Sequence, residues 1–141
     1  MTALPKLEDF PAQTHDKLRY GDTDRQGHVN NAVFATFLET GRVALLDGTD
    51  ILRRHPDVHF VIARLVLDYR AEIFWPGTVE IGTGVKSIGN SSTTFVQALF
   101  QNGKCVATAE TVLVQVSRQT GQSTPMTAET KNFLKGFLQP A

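Results

Sequence analysis

Polar side chains crowd into one short stretch of the chain, directly before an apolar segment. The stretch spans residues 20–34 and has the sequence YGDTDRQGHVNNAVF. Within it, three residues separate the carboxylate of Asp24 from the imidazole of His28. Both groups can take a proton from water, and a carboxylate can also attack an electrophilic carbon. The residue types and their spacing therefore make this stretch a candidate for acid–base or nucleophilic chemistry.

The apolar segment that follows, VNNAVFATFLETGRVALLD, predicts a helix over residues 29–47. Val33 and Phe37 lie on one side of this helix with further apolar residues beside them, which predicts a largely buried element. The first backbone N–H groups of a helix have no partner and carry a partial positive charge that attracts an oxyanion or a polarised carbonyl. Here those donors belong to residues 29–32, so a carbonyl held there would face the Asp24 carboxylate.

Helix capping is the competing interpretation for these polar residues. Aspartate and asparagine side chains near a helix start usually accept hydrogen bonds from its unpaired N–H groups. One cap needs one such side chain, whereas five polar residues lie here: Asp22, Asp24, His28, Asn30 and Asn31. Capping and catalysis both stay open for Asp24. His28 and Asn31 are candidates for positioning water or a leaving group, and Gly27 is a candidate substrate contact.

Downstream of the helix, the apolar pattern changes to a period of two, which predicts strands. The predicted strands cover residues 60–73, 76–88, 93–101 and 104–117. In the first of them, the odd-numbered positions from Val61 to Tyr69 are apolar, so they are expected to face the core. A short strand is predicted earlier, over residues 16–22, and an amphipathic helix over 126–138 ends the chain.

This order of elements predicts an α+β fold. A single buried helix must lie against a sheet, so the economical arrangement is a curved antiparallel sheet wrapped around one long central helix, with a short C-terminal helix added. The length of 141 residues fits a single domain over residues 1–141. Because such a sheet has unpaired edges, we expect a homodimer, or a dimer of dimers, that joins two sheets.

Composition and charge exclude several classes of protein. Lys+Arg and Asp+Glu both number 14, so a nucleic-acid partner is not expected. No stretch approaches the roughly 18 apolar residues of a membrane span, so no membrane partner is expected either. The one cysteine, Cys105, permits no internal disulfide, which fits a reducing compartment and predicts a cytoplasmic location. His55 and His59 lack a helical context and a third ligand, so neither a metal nor a cofactor is predicted.

The motif DTDRQGHVNNAVFATFLETGR resembles the signature of the hotdog-fold thioesterases, in particular the 4-hydroxybenzoyl-coenzyme A thioesterase-like and bacterial acyl-CoA thioesterase branch. The segments FVIARLVLDY, PGTVEI and VKSIGNSSTTF also resemble that family, so the likeness covers nearly the whole chain. The resemblance implies a hotdog fold with an active site at a dimer interface. It further implies hydrolysis of an acyl thioester of coenzyme A, or of acyl carrier protein, to a free acid and a thiol.

The resemblance also implies roles for individual residues. The family's catalytic carboxylate falls on Asp24, either as general base on water or as direct nucleophile, and the helix amide that polarises the thioester carbonyl falls on or next to Asn31. His28 matches the histidine of the GHVNN motif. One turn resembles the loop that meets the pantetheine or nucleotide end of coenzyme A: Asn90, Ser91 and Ser92. Separately, Arg64 on the polar face of its strand is a candidate for binding coenzyme A phosphates.

Two other functions stay open. A hotdog hydratase or dehydratase would act on enoyl-CoA, although such enzymes tend to separate their aspartate and histidine by four residues rather than three. A non-catalytic acyl-thioester-binding protein is the other alternative, and the presence of Asp24 argues against it. Glu39 lies on the apolar helix, where a structural role, paired with Arg42 or facing solvent, competes with access to the acyl pocket.

Overall fold

The computed structural model describes residues 3–139, which form five strands and two α-helices. In chain order these elements are β1 (Ala12–Lys17), α1 (Asn31–Asp47), β2 (Val58–Tyr69), β3 (Thr78–Ile88), β4 (Ser92–Gln101), β5 (Lys104–Ser117) and α2 (Ala128–Lys135). Short 3₁₀ turns lie at Leu7–Asp9 and Tyr20–Asp22. The predicted order of elements is confirmed. No helix between residues 3 and 139 has both the length and the apolar character to cross a membrane.

The five strands form one antiparallel sheet in the order β1-β3-β4-β5-β2. Short turns join β3 to β4 and β4 to β5, whereas β1 and β2, which flank α1 in the sequence, lie at opposite edges. Helix α1 packs on one face of the sheet, against β1, β3 and β4. The curved antiparallel sheet around one long central helix is therefore present as predicted.

Apolar side chains along the whole of α1 fix its position on the sheet. The first half contributes Phe34, Phe37 and Leu38 to one buried cluster, and these side chains meet strands β3 and β4 there. The second half contributes Leu45 to another cluster, which also holds Leu134 of α2. Because both halves are anchored, the sheet determines where the N-terminus of α1 points.

Gly41 allows α1 to lie unusually close to the sheet. A Cβ atom built at this position would lie 2.5 Å from Ile81 Cγ2 and 2.8 Å from Gln97 Nε2. The amide of Gln97 donates hydrogen bonds to the carbonyl of Leu38 at 2.9 Å and to Thr83 Oγ1 at 3.0 Å. Glycine in a helix interior costs about 1 kcal/mol relative to alanine, so this close approach is the physical reason for a glycine here.

A β-bulge in β2 changes which of its side chains face the helix. Ala63 has no partner in β5, and the register shifts there. Before the bulge, Phe60 packs into the core, whereas after it Leu65 does. The expectation that odd-numbered positions face the core is therefore correct for Leu65 and Leu67, which are half-buried, and wrong for Val61 and Ala63, which are exposed. Tyr69 is also exposed, although its ring packs against Phe34 of α1.

The first strand lies earlier in the chain than the predicted residues 16–22. Strand β1 pairs with β3 from Ala12 to Lys17, and the chain then turns at Tyr20–Asp22. The turn forms because the Asp22 carboxylate accepts a hydrogen bond from the Arg19 backbone N–H at 2.9 Å, and such local bonds compete with strand pairing. Helix α2 is likewise shorter than the predicted 126–138.

Candidate active site

The carboxylate of Asp24 closes the loop before α1. Its Oδ1 atom accepts hydrogen bonds from the backbone N–H groups of Gln26 at 2.9 Å and His28 at 3.2 Å. The backbone N–H of Asp24 donates in return to the His28 carbonyl at 2.8 Å. Gly27 completes the turn with a φ of 82°, a conformation that favours glycine. Asp24 is exposed, and within residues 3–139 its second oxygen, Oδ2, has no hydrogen-bond donor.

Helix α1 begins at Asn31, two residues later than the sequence predicts. The side chain of Asn30 caps it by accepting a hydrogen bond from the Ala32 N–H at 2.9 Å. The N–H groups of Val29 and Asn30 donate to backbone carbonyls outside the helix, each at 2.8 Å. Of the four predicted donors at residues 29–32, the Asn31 N–H is thus the one without an acceptor in the part of the chain that the structure describes.

The first turn of α1 is also held in place by Tyr69 of β2. The Tyr69 hydroxyl donates to the carbonyl of Asn31 at 2.8 Å. The Tyr69 ring also packs against Phe34, with ring centroids 4.9 Å apart. Asn31 is an exposed residue. Its N–H lies on a fixed turn at the positive end of the helix dipole, where a carbonyl oxygen or an oxyanion is stabilised.

Glu72 holds the imidazole of His28. His28 Nδ1 lies 3.0 Å from Glu72 Oε1, and the ring packs edge-on against Phe74 with centroids 5.1 Å apart. The side chain of His28 is 25% exposed and that of Glu72 is 58% exposed. A carboxylate that accepts the Nδ1 proton fixes the tautomer, so the neutral ring presents the lone pair of Nε2. One loop therefore carries both the free Oδ2 atom of Asp24 and the oriented imidazole of His28.

Sequence reasoning missed Glu72 and Tyr69 as site residues. Both fall in the predicted strand over residues 60–73, where a glutamate is expected only to face solvent. Strand β2 instead ends at Tyr69, and the following segment crosses to the Asp24 loop, where the Ile73 carbonyl accepts the Val29 N–H. The only signal for this crossing was the sequence WPG at residues 75–77, because proline and glycine mark a departure from a strand.

A family model for the thioesterase-like superfamily matches residues 18–134, which include the Asp24 loop, α1 and strands β2 to β5. The chain belongs to the thioesterase-like superfamily. The resemblance of its motifs to hotdog-fold thioesterases is thereby confirmed.

Solved structures and a sequence relative agree with membership of this superfamily. A thioesterase from Thermus thermophilus, crystallised with coenzyme A and Zn, is 30% identical, with 92% of this chain and 96% of that one covered and a TM-score of 0.82. The PA5185 protein of Pseudomonas aeruginosa PAO1 is 28% identical, with 97% and 98% covered and a TM-score of 0.86. The uncharacterized protein YsmA of Bacillus subtilis strain 168 is 27% identical over 93% of this chain and 96% of its own length. The predicted hotdog fold is confirmed.

The turn predicted to meet coenzyme A lies at the other end of the sheet from His28. Glu72 precedes β3 and the turn follows it, and a strand of 11 residues spans about 35 Å. The Asn90 side-chain oxygen accepts a hydrogen bond from Lys131 Nζ at 3.3 Å. One chain therefore does not bring together the Asp24 loop and the residues of this turn: Asn90, Ser91 and Ser92. Their contact with coenzyme A stays a prediction that a second copy of the chain would have to satisfy.

Arg64 lies on the face of the sheet opposite α1. It lines a shallow groove of about 580 Å³ together with Arg70 and Lys86. Lys86 pairs with Glu110 at 2.9 Å, whereas Arg64 forms no ion pair with residues 3–139. An unpaired guanidinium suits a phosphate group, but the structure does not bring Arg64 to the face of the sheet where Asp24 lies.

Neither Glu39 nor the remaining histidines extend the site. Glu39 is exposed on α1 and forms no ion pair with the buried Arg42 in the described residues, so it faces solvent. His55 lies 3.3 Å from Glu129, which links the segment after α1 to α2. Between residues 3 and 139, no three or more His, Cys, Asp or Glu side chains are grouped so that they could hold a metal ion.

Proposed function

We propose that this protein hydrolyses acyl-CoA thioesters, converting R–CO–S–CoA and water into a carboxylic acid and free coenzyme A. The observation that supports this most directly is the open Asn31 N–H at the start of α1, beside the loop that holds Asp24 and His28. A thioester carbonyl bound at this donor gains negative charge when it is attacked. In other enzymes one such donor contributes about 2.7–4 kcal/mol of transition-state stabilisation.

Asp24 is the group that we propose initiates the attack. As a general base, its Oδ2 atom takes a proton from water while the water oxygen adds to the thioester carbon. As a nucleophile, the same atom forms an acyl anhydride and expels the coenzyme A thiolate, and water then cleaves the anhydride. In both routes the thiolate takes up a proton after leaving. The two hydrogen bonds to Oδ1 restrict rotation of the carboxylate and so orient Oδ2.

His28 is proposed to position the attacking water or the leaving thiolate through Nε2. Glu72 leaves that nitrogen free because it engages Nδ1. Phe74 packs edge-on against the imidazole, and this contact restricts rotation of the ring. The carboxylate, imidazole and helix amide therefore supply a base, an orienting group and an oxyanion donor within one short segment.

A second copy of the chain is proposed to complete the site. Strand β2 is an edge strand, and its exposed apolar side chains include Val61, Ile62 and Val66. An exposed apolar edge is a template for pairing with another strand. We therefore propose a homodimer, or a dimer of dimers, joined at β2, with residues 1–141 acting as one domain. The coenzyme A bound to the Thermus relative supports coenzyme A as the carrier, and the single buried Cys105 suits a cytoplasmic setting.

The experiment is a panel of acyl-CoA and acyl-carrier-protein thioesters assayed for thiol release, with the wild type and an Asp24→Asn variant. Asparagine keeps an Oδ1 acceptor for the Gln26 and His28 amides, so the loop is expected to stay folded while the rate falls by about 10²- to 10⁴-fold. Asp57→Asn is the matched control, because Asp57 is an exposed carboxylate outside the site.

Each other result of this assay points to a different conclusion. Equal rates for the wild type and Asp24→Asn would contradict the catalytic assignment. Addition of water to an enoyl-CoA without thiol release would identify a hydratase, and tight binding of acyl-CoA with no turnover would identify a binding protein. Light scattering during size-exclusion chromatography counts the chains, and a monomer would overturn the proposed dimer.

A further inference from the structure

The segment that follows β2 carries both of the residues that contact the His28 ring. This segment, residues 70–77, belongs to no helix or strand, and we call it the crossing segment. Its Glu72 carboxylate lies 3.0 Å from His28 Nδ1, and its Phe74 ring packs edge-on against the imidazole. Phe74 also forms an isolated antiparallel bridge with His28. The position of the crossing segment therefore sets the orientation of the imidazole.

Backbone hydrogen bonds hold the crossing segment at its two ends but not at Phe74. At its start, two N–H groups donate to the Val106 carbonyl, at 2.9 and 3.1 Å. At its end, the Gly77 carbonyl accepts from the Leu18 N–H at 2.9 Å. Within residues 3–139, neither the N–H nor the carbonyl of Phe74 bonds to another backbone group. Backbone groups in a fold need partners, so those of Phe74 depend on a side chain.

Gln101 supplies both of these partners. It is the last residue of β4 and is 9% exposed. Its Oε1 atom accepts a hydrogen bond from the Phe74 N–H at 3.0 Å, and its Nε2 atom donates to the Phe74 carbonyl at 2.8 Å. A side-chain amide carries an acceptor and a donor side by side, so it pairs with one backbone residue as a neighbouring strand would. Gln101 therefore joins the middle of the crossing segment to the central strand of the sheet.

The crossing segment leaves space for this amide. A Cβ atom built at Gly77 would lie 3.2 Å from Gln101 Nε2, and the φ of 151° at Gly77 favours glycine. The fully buried Ile73 determines how deeply the segment lies, but apolar burial has no preferred direction. Hydrogen bonds are directional, so the two bonds to Phe74 restrict rotation of the segment about Ile73.

We propose that Gln101 is a positioning residue for the candidate active site. By holding the backbone of Phe74, it keeps the Phe74 ring and the Glu72 carboxylate, two positions earlier, against His28. The inference rests on the proposed function, because His28 has its role in hydrolysis there. All of the contacts involved lie within one chain, and β4 is the middle strand of the five, away from both edges of the sheet.

Gln101→Met removes both hydrogen bonds and keeps the length of the side chain. The crossing segment then shifts, and Glu72 no longer holds His28 Nδ1. We expect kcat for thiol release to fall about tenfold, less than the roughly 100-fold that a misplacement of about 1 Å can cost. KM should stay within about twofold, since the lost orientation acts on the reacting state rather than on substrate binding.

Gln115→Met is the matched control. Gln115 is 5% exposed, and its Nε2 atom donates to two backbone carbonyls, of Thr124 at 3.2 Å and Pro125 at 3.1 Å. It lies towards the other end of the sheet, so its loss should lower stability without lowering kcat. Gln101→Asn is a second variant in case Gln101→Met does not fold. It keeps an amide but is one methylene too short to reach Phe74 without displacing the crossing segment, so kcat should again fall.

The readout that a purely structural role would not change is the tautomer of His28. Nitrogen chemical shifts of the ring, recorded at about pH 8 where an ordinary histidine is neutral, should show the proton on Nδ1 in the wild type and in Gln115→Met. In Gln101→Met and Gln101→Asn the two tautomers should be mixed. This measurement contains no thioester, so it reports the positioning even if the proposed hydrolysis fails.

Combining Gln101→Met with Glu72→Gln tests the route through His28. Because both changes act on the same ring, the double variant should lose less kcat than the product of the two single losses. The proposal is overturned if the His28 tautomer is unchanged in both Gln101 variants, if Gln115→Met loses as much kcat, or if the two losses multiply. A shifted tautomer in a protein that releases no thiol would support the positioning and overturn only the proposed hydrolysis.

Discussion

Replacing Glu72 with glutamine is expected to slow hydrolysis while leaving the protein folded. The Glu72 carboxylate lies 3.0 Å from His28 Nδ1 and can only accept a hydrogen bond there when ionised. A glutamine amide can either accept or donate, so it no longer determines which ring nitrogen carries the proton. The population of His28 with a free Nε2 lone pair therefore falls, although the shape of the side chain is kept.

The exposure of the pair sets the size of both effects. With His28 25% and Glu72 58% exposed, the interaction resembles a surface ion pair, which contributes about 0.2–1 kcal/mol to the free energy of unfolding. In a serine protease, replacing the buried carboxylate behind the catalytic histidine lowers kcat by about 10⁴-fold. Water can partly replace the exposed Glu72, so we expect a smaller loss of about 10- to 100-fold, or about 1.4–2.7 kcal/mol in the barrier.

The assay is kcat from thiol release, using the best thioester of the panel, together with nitrogen chemical shifts of the His28 ring to report the tautomer. Glu110→Gln is the control, because its carboxylate is 47% exposed and pairs with Lys86. The reasoning is refuted if Glu72→Gln and Glu110→Gln have the same kcat, or if the His28 tautomer is unchanged. A loss of several kcal/mol in urea denaturation would instead show that Glu72 is mainly structural.

Two further predictions concern packing within the fold. Gly41→Ala should lower the free energy of unfolding by up to about 2 kcal/mol net, since overpacking costs about 1–3 kcal/mol and helix propensity returns about 1 kcal/mol. Urea denaturation measures this change, and Gly21→Ala, with open space around it, should have little effect. Burial raises the pKa of the Cys105 thiol, so less thiolate is present at pH 8 than for a free thiol; Ellman's reagent should react slowly with the native protein and rapidly after denaturation, and fast native reaction would contradict that burial.

The candidate residues of the site could be predicted from the sequence because they lie in one continuous segment. Asp24, His28 and Asn31 fall within eight positions, so chain connectivity alone keeps them near each other. The period of the apolar residues predicted the long helix and the later strands. A helix or strand that buries one face shows this period in its own sequence, whichever element it packs against. Asn102–Gly103 likewise marked the β4–β5 turn, where both residues have positive φ.

The exact start of the helix could not be predicted, because it depends on contacts with distant residues. The Val29 N–H bonds to the segment after β2, and this postpones the start of α1 to Asn31. The bulge at Ala63 also depends on distant residues, since it is defined only by the register between β2 and β5. Alternation in the sequence cannot detect a one-residue insertion in a pairing whose partner is unknown.

The sequence by itself therefore determined the elements, their order and the candidate reactive groups, since these follow from residue type and from spacing along the chain. Only the tertiary structure decided that Asn31 keeps the open amide, that Glu72 holds His28, and that the turn at residues 90–92 lies at the other end of the sheet. It also decided that Arg42 is buried and that its guanidinium donates to Gln97 and Thr111. Each of these depends on contacts between segments far apart in sequence, which the packing of the sheet against α1 creates.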